Sequence, residues 1–313
     1  MGPGDGPPVT AGRAGGPDGP RDLPGALAAL ADSDHGLDLT SARLVPSDDD
    51  ELCLRTPDGW LVRFAGAEAD PARELALLAR LRGALLADLP TDAWVGTGPR
   101  VIAYRDVQGA TFDAAEYAAA DGRRRNRLAA SIARFLVVLH TALSPEEATA
   151  LGVPTVDPDG LAESVVPRLQ EVPAHLRARA TDVVEHFREA WLAEPRPGRQ
   201  VLLHGGLHAG SMVLRDPVGE LTGVRQLSHV RVGPPSLDLR YLARVPEEAS
   251  PGVRRDLMQR VADQYARTGI TLDVDGARAA MAMSDLAAAI RSGDFHRFEP
   301  DDGVWAWPGA DRG

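Results

Sequence analysis

The side chains with the most chemical capacity crowd into one stretch, Val201–Leu242, which reads VLLHGGLHAGSMVLRDPVGELTGVRQLSHVRVGPPSLDLRYL. It holds the imidazoles of His204, His208 and His229, the carboxylate of Asp238 and the hydroxyls of Ser211 and Ser228. Two histidines four residues apart make a zinc pair when they share a helix face, and a third nearby would complete a three-histidine site. Here His204 and His208 are interleaved with Gly205, Gly206 and Gly210, so they read as loop residues. No metal site is expected from them. Neither serine has an adjacent base with a third, orienting group, so a hydrolase triad has no support.

Those residues need elements to position them. Around the loop, strand character appears at Val201–Leu203, Met212–Arg215 and Leu221–Leu227, with a turn at Asp216–Glu220. Earlier in the chain, Glu51–Arg55 and Trp60–Phe64 read as two strands joined at Pro57-Asp58-Gly59, a hairpin signal. Asp70 is a good N-cap and Pro71 a good first helical residue, and the leucines at 75, 78, 81 and 85 predict a helix reaching about Ala87. Arg100–Val107 reads as a strand. Helices follow at Leu128–Leu143, Pro145–Leu151 and Leu161–Leu192, the last broken by Pro167 and Pro173. Further helices are expected at Leu237–Leu242, Pro251–Thr268 and Asp275–Ser292. A β-rich part followed by a larger helical part is an α+β plan.

Composition bounds the partners. The 313 residues carry a net charge of −11, which excludes the basic footprint that nucleic acid or an anionic membrane surface requires. All 34 basic residues are arginine, so no lysine is present to meet a phosphate. The single cysteine, Cys53, excludes an internal disulfide framework. Neither an apolar run of spanning length nor a signal-peptide pattern is found, and a cytoplasmic location is expected.

With its spacing considered as a whole, Val201–Leu242 resembles the kinase-like phosphotransferases that modify aminoglycosides and macrolides. Their loop has the form H-G-D-x-H-x-x-N, followed by G-x-I-D-W-x-x-A-x-x-x-D-P-x-x-D-L. His204, Gly205, His208, Gly210, Gly223, Pro235, Asp238 and Leu239 match that frame, and Ser228–Val232 is similar to the macrolide branch. The resemblance extends from about His35 to about Ser292 and implies a bilobal, protein-kinase-like fold. It implies an N-lobe over 23–107 and a helical C-lobe over 108–292, with a Gly/Pro tail at 1–22 and a C-terminal tail at 293–313. Arg63, in Leu61-Val62-Arg63-Phe64, takes the nucleotide-contacting position, and Glu74 takes that of its partner; the alternative is a structural ion pair of little worth at a surface. Tyr104 falls in the hinge strand, and Phe135–His140 resembles the helix that supports the catalytic loop. His204, His208 and Asp238 are expected to be structural, Asp238 by bonding the loop backbone.

Three positions depart from the family pattern. The catalytic aspartate falls on Gly206, the metal-binding asparagine on Ser211 and the second metal-binding aspartate on Gln226. Phosphoryl transfer depends on positioning and on charge neutralised by Mg²⁺ held through hard oxygen ligands, and no carboxylate remains at these positions. The expected function is that of a pseudokinase holding an antibiotic-like small molecule, a biosynthetic intermediate or a protein partner, with no cofactor. One alternative is an active O-phosphotransferase using ATP or GTP with Mg²⁺ at an unusual metal site, to which an acidic residue of Asp48–Glu51 would contribute. Another is a scaffold or regulatory subunit. The acidic Pro46–Asp50 loop would repel phosphates, and Trp305 with Trp307 would cap a groove or dock on the protein's own surface.

Overall fold

Strands β1 (Arg43–Val45), β2 (Leu52–Arg55), β3 (Trp60–Phe64), β4 (Thr91–Val95) and β5 (Val101–Arg105) form one antiparallel sheet in the order β1-β2-β3-β5-β4. This comes from a computed structural model that describes residues 23–31, 36–45, 52–64, 70–96, 101–191, 200–243 and 251–295. The Gly/Pro stretch 1–22, His35, the acidic run Pro46–Asp50, Glu51, Trp305 and Trp307 lie outside the described residues.

Central strand β3 shows why its sequence carries no clean polar alternation. Val62 and Phe64 face a cluster with Leu54, Val101 and Ala103 that helix α1 (Leu23–Ala31) covers with Ala26 and Leu30. Leu61 belongs to the opposite face with Cys53, Ile102 and Tyr104. Both faces are buried, so every position from Leu61 to Phe64 is closed to solvent, Arg63 included.

Helix α2 (Pro71–Leu81) starts where the N-cap signal puts it, with Asp70 Oδ1 accepting from the N–H groups of Ala72 and Arg73 at 3.0 and 3.1 Å. It stops before the expected Ala87. Gly83 adopts φ 89°, a left-handed conformation that ends a helix, so Leu85 only mimics another turn. Strands β1 and β4 were not foreseen: three residues give no period, and β4 is irregular at Asp92, whose φ is 52°.

The chain divides into two compact units. One is drawn from Met1–Ala76 and Pro90–Asp106, the other from Leu77–Leu89 and Val107–Gly313. The second unit contains α3 (Ala114–Ala119), α4 (Gly122–Ala142), α5 (Pro145–Ala150), α6 (Pro158–Val165), α7 (Arg177–Trp191), α8 (Pro251–Tyr265) and α9 (Val274–Ser292). Helix α4 begins six residues before the expected Leu128, because Asp121 caps an arginine-rich turn that has no apolar face to reveal it. Between α6 and α7 the chain tightens into 3-10 turns at Val166–Glu171 and Ala174–Leu176, next to Pro167 and Pro173. Ala180, Val183, Val184, Phe187 and Trp191 of α7 pack with Met281, Met283, Leu286 and Ile290 of α9. Two short ladders complete the unit: β6 (Val201–Leu203) with β9 (Arg231–Gly233), and β7 (Met212–Leu214) with β8 (Leu221–Val224). Leu237–Leu242, expected as a helix, lies within a 3-10 helix spanning Pro235–Ala243. No described helix is long and apolar enough to cross a membrane.

Candidate functional site

Strand β6 is wholly buried and delivers His204 into the interior. The chain then turns sharply, with Gly205 at φ 72°. A Cβ there would lie 1.9 Å from the carbonyl oxygen of His229, so no other residue fits. Fully buried Asp238 holds the turn: Oδ2 accepts from the His204 N–H at 2.9 Å and Oδ1 from the Gly205 N–H at 2.8 Å. His140, near the end of α4, places Nε2 2.9 Å from Asp238 Oδ2 and Nδ1 2.8 Å from the hydroxyl of Tyr265 in α8. Burial alone would raise the Asp238 carboxyl. The hydrogen bonds and charge of its neighbours outweigh that and hold it below the usual carboxylate range.

His204 is also buried, and burial pushes its pKa down to about 4 against the opposing pull of Asp238. Its Nδ1 accepts the Gly206 N–H at 3.3 Å, which leaves the proton on Nε2 in the neutral ring. Nε2 is buried, and the Arg225 backbone joins Asp238 in opposing the effect of burial. Nearby, the Ser211 hydroxyl is fully occupied with the backbone. It accepts from the His208 N–H at 2.9 Å and donates to the Gly206 carbonyl at 2.8 Å, with the His208 carbonyl at 3.1 Å. Ser211 thus closes the loop on itself. His208 Nδ1 accepts the Gly210 N–H at 3.0 Å, another bond internal to the loop.

The other side of the loop is a 3-10 turn, Leu227–His229, entered through Gln226 at φ 58° and ψ 81°. A left-handed conformation costs a residue with a side chain roughly 1–2 kcal/mol, and asparagine and aspartate tolerate it best. Gln226 thus stands, half-buried, in a backbone conformation that glutamine seldom adopts. His229 follows on the same turn. An ideal Cβ on Gly206 would lie 3.0 Å from His229 Cδ2 and 3.2 Å from its Cγ and Cβ. The imidazole therefore fills the space into which a side chain at position 206 would begin. As a third imidazole His229 could only be read as a metal candidate, because 22 residues of intervening chain hide its contact with Gly206.

The three imidazoles do not make a metal centre: among the described residues no group of three or more His, Cys, Asp or Glu could hold a metal ion. Nor does the donor set fit Mg²⁺-nucleotide. Gly206 offers no side-chain oxygen, Ser211 is spent on the backbone, and Gln226 brings one neutral carbonyl.

Arg63, Glu74 and Tyr104 lie together in the first unit. The Arg63 guanidinium donates to the Glu74 carboxylate, and the pair is buried. This is not the low-value surface bridge weighed above: breaking one partner of a buried pair costs about 3–5 kcal/mol. Tyr104 is fully buried beside Ile102 and Leu61, its hydroxyl has no hydrogen-bond partner, and burial drives its pKa far upward. In this conformation neither Arg63 nor Tyr104 presents its side chain to solvent.

Comparison with known proteins agrees with this architecture. The GDP and kanamycin complex of APH(2")-IIIa is 18% identical with a TM-score of 0.67, over 86% of this chain and 93% of that one. The streptomycin–ATP–APH(2")-IIa ternary complex is 17% identical with a TM-score of 0.60, over 87% and 92%. The apoenzyme of macrolide 2'-phosphotransferase MphH from Brachybacterium faecium is 25% identical with a TM-score of 0.56, over 91% and 99%. No curated protein matches the sequence. The family model described as "Phosphotransferase enzyme family" (APH) matches residues 12–270, and the chain belongs to that family.

Proposed function

We propose that this protein is a pseudokinase of the phosphotransferase family, which holds a small hydroxylated molecule without transferring phosphate to it efficiently. One observation carries the reading: His229 occupies the side-chain space beside Gly206, the residue that the family pattern aligns with its catalytic aspartate. General-base assistance is worth about 10²–10⁴ in rate, and loss of the metal ligands removes stabilisation of the transferred phosphoryl group as well. Similar solved structures hold kanamycin or streptomycin together with a nucleotide, which makes glycosides the first ligands to try.

The test is incubation of the purified chain with ATP or GTP, Mg²⁺ and kanamycin, gentamicin or erythromycin, followed by mass spectrometry. The expected outcome is no phosphorylated product above the protein-free control. Stoichiometric product that disappears in an Arg63→Ala, Gln226→Ala variant shown to be folded would overturn the reading.

A further inference from the structure

A cavity of about 370 Å³ opens between α4, β8 and the chain that follows α2, and every residue lining it belongs to the second compact unit. Its volume is within the range of sites that take small molecules. Neither the loop from His204 to Ser211 nor the turn from Gln226 to His229 contributes to it.

Hydrogen bonds to β8 fix the walls. The Asp88 N–H donates to the Thr222 carbonyl at 2.7 Å, and the Asp88 carbonyl accepts from the Val224 N–H at 3.0 Å. Such an approach requires Gly223, where a Cβ would lie 2.9 Å from the Asp88 carbonyl oxygen. On the α4 side, buried Ser131 accepts the Leu221 N–H at 2.8 Å. The cavity is therefore formed before any ligand arrives.

Its lining is mixed in a particular way. Phe135 is buried, whereas Leu86 is 76% exposed, one of two large apolar side chains that the described residues leave open to solvent. Of the four charged groups, Arg215 and Glu220 pair with each other at 3.4 Å. Arg134 and Asp88 do not meet, and among the described residues neither side chain has an ion-pair or hydrogen-bond partner. Helix α4 offers Arg134 no acid one turn away, where Ala130, Ser131, Val137 and Val138 stand. A guanidinium, a carboxylate and an apolar surface thus share one space. A guanidinium takes a carboxylate through paired N–H donors, and a carboxylate takes an ammonium.

We infer that this cavity is a binding site for a free α-amino acid with an apolar side chain. Arg134 holds its carboxylate, Asp88 its ammonium, and Leu86 and Phe135 flank the side chain. A simple anion would be opposed by Asp88 and a simple cation by Arg134; a zwitterion satisfies both. The site goes beyond the pseudokinase reading and stands whether or not phosphate is transferred.

The test uses the full chain and ligand-observed NMR titrations of three probes: L-phenylalanine, hydrocinnamate, which lacks the ammonium, and phenethylamine, which lacks the carboxylate. Arg134 and Asp88 are exposed, so phenylalanine is expected to bind with a Kd on the order of 1 mM, and each analogue about three- to fivefold more weakly. Arg134→Gln should weaken phenylalanine and hydrocinnamate by a similar factor and leave phenethylamine unchanged. Asp88→Asn should weaken phenylalanine and phenethylamine and leave hydrocinnamate unchanged. Both variants alter exposed side chains and should keep the wild-type urea midpoint. Failure of phenylalanine to bind at about ten times that concentration, or an affinity for it that neither variant changes, would overturn the site.

Discussion

The two sides of the loop have been treated differently. On the Asp238 side, a buried carboxylate, two backbone N–H groups, His140 and Tyr265 form a continuous hydrogen-bonded set. On the Gln226 side stand a glycine, a backbone-bonded serine and a glutamine in a left-handed conformation, at the positions that the family pattern aligns with its catalytic and metal-binding groups. The difference follows from cost. Removing a buried acceptor leaves donors that water cannot reach, a penalty on folding itself. Half-buried Gln226 carries less of that penalty, whereas Ser211, buried and bonded to the loop backbone, is tied in as Asp238 is. The retained motif residues therefore report on architecture here.

The sharpest way to break this contrast is at Asp238. Asp238→Ala strands two backbone donors and the His140 ring in the interior, and should cost about 3–5 kcal/mol in urea unfolding. Asp238→Asn keeps one acceptor oxygen and should lose less. If Asp238→Ala unfolds at the wild-type urea midpoint, the anchored side is no more essential than the other.

A slightly smaller effect is expected from pH. His204 titrates near 4 in the fold and near 6.5 when unfolded, so between those values the unfolded chain binds the extra proton. Stability from this group is complete above pH 6.5, falls as the pH drops towards 4 and then levels off, a loss of about 3 kcal/mol across the window. Urea midpoints at pH 7 and pH 4.5 should separate further for wild type than for His204→Asn, which cannot titrate. Equal separations would place His204 in a solvated setting and undo the account of its burial.

The smallest effect belongs to the replaced side. Gly206→Asp alone should cost about 1–3 kcal/mol by overpacking against His229, and His229→Ala in the same chain should return part of it. Simply additive losses would show that the two residues do not share space. Restoring Gly206→Asp, Ser211→Asn and Gln226→Asp together should produce Mg²⁺-dependent nucleotide binding in calorimetry only when His229→Ala is added. The same result with His229 in place would mean that the ring moves aside freely.

Much of this arrangement was legible in the sequence, for identifiable reasons. The β2–β3 hairpin, the Asp70–Pro71 helix start and the α+β plan are written in local signals: a turn tripeptide, a cap and a change of period. The His-Gly…Asp frame kept its spacing, so the loop and Asp238 could be placed before their contacts were known. What stayed hidden is non-local. Three-residue strands β1 and β9 gain their identity only from partners, and the arginine-rich start of α4 lacks an apolar stripe. The packing of His229 on Gly206 is a tertiary fact that no spacing encodes. Likewise, nothing in the letters around Arg63 distinguishes a surface salt bridge from a buried one; the two-sided burial of β3 decides it.

The hydrogen-bonded set that runs from Tyr265 through His140 to Asp238 also has a bearing on motion. It joins α8, α4 and the first residues of the loop through side chains that are all buried. Local openings occur where few such ties must break at once, and segments bound by many open only with their partners. The His204 and Gly205 amides are therefore tied into the same cooperative unit as two helices distant in sequence. Although it is a loop, this segment should exchange its amide protons on the timescale of α4 rather than that of a surface turn, and a change made in α8 at Tyr265 should be felt there first.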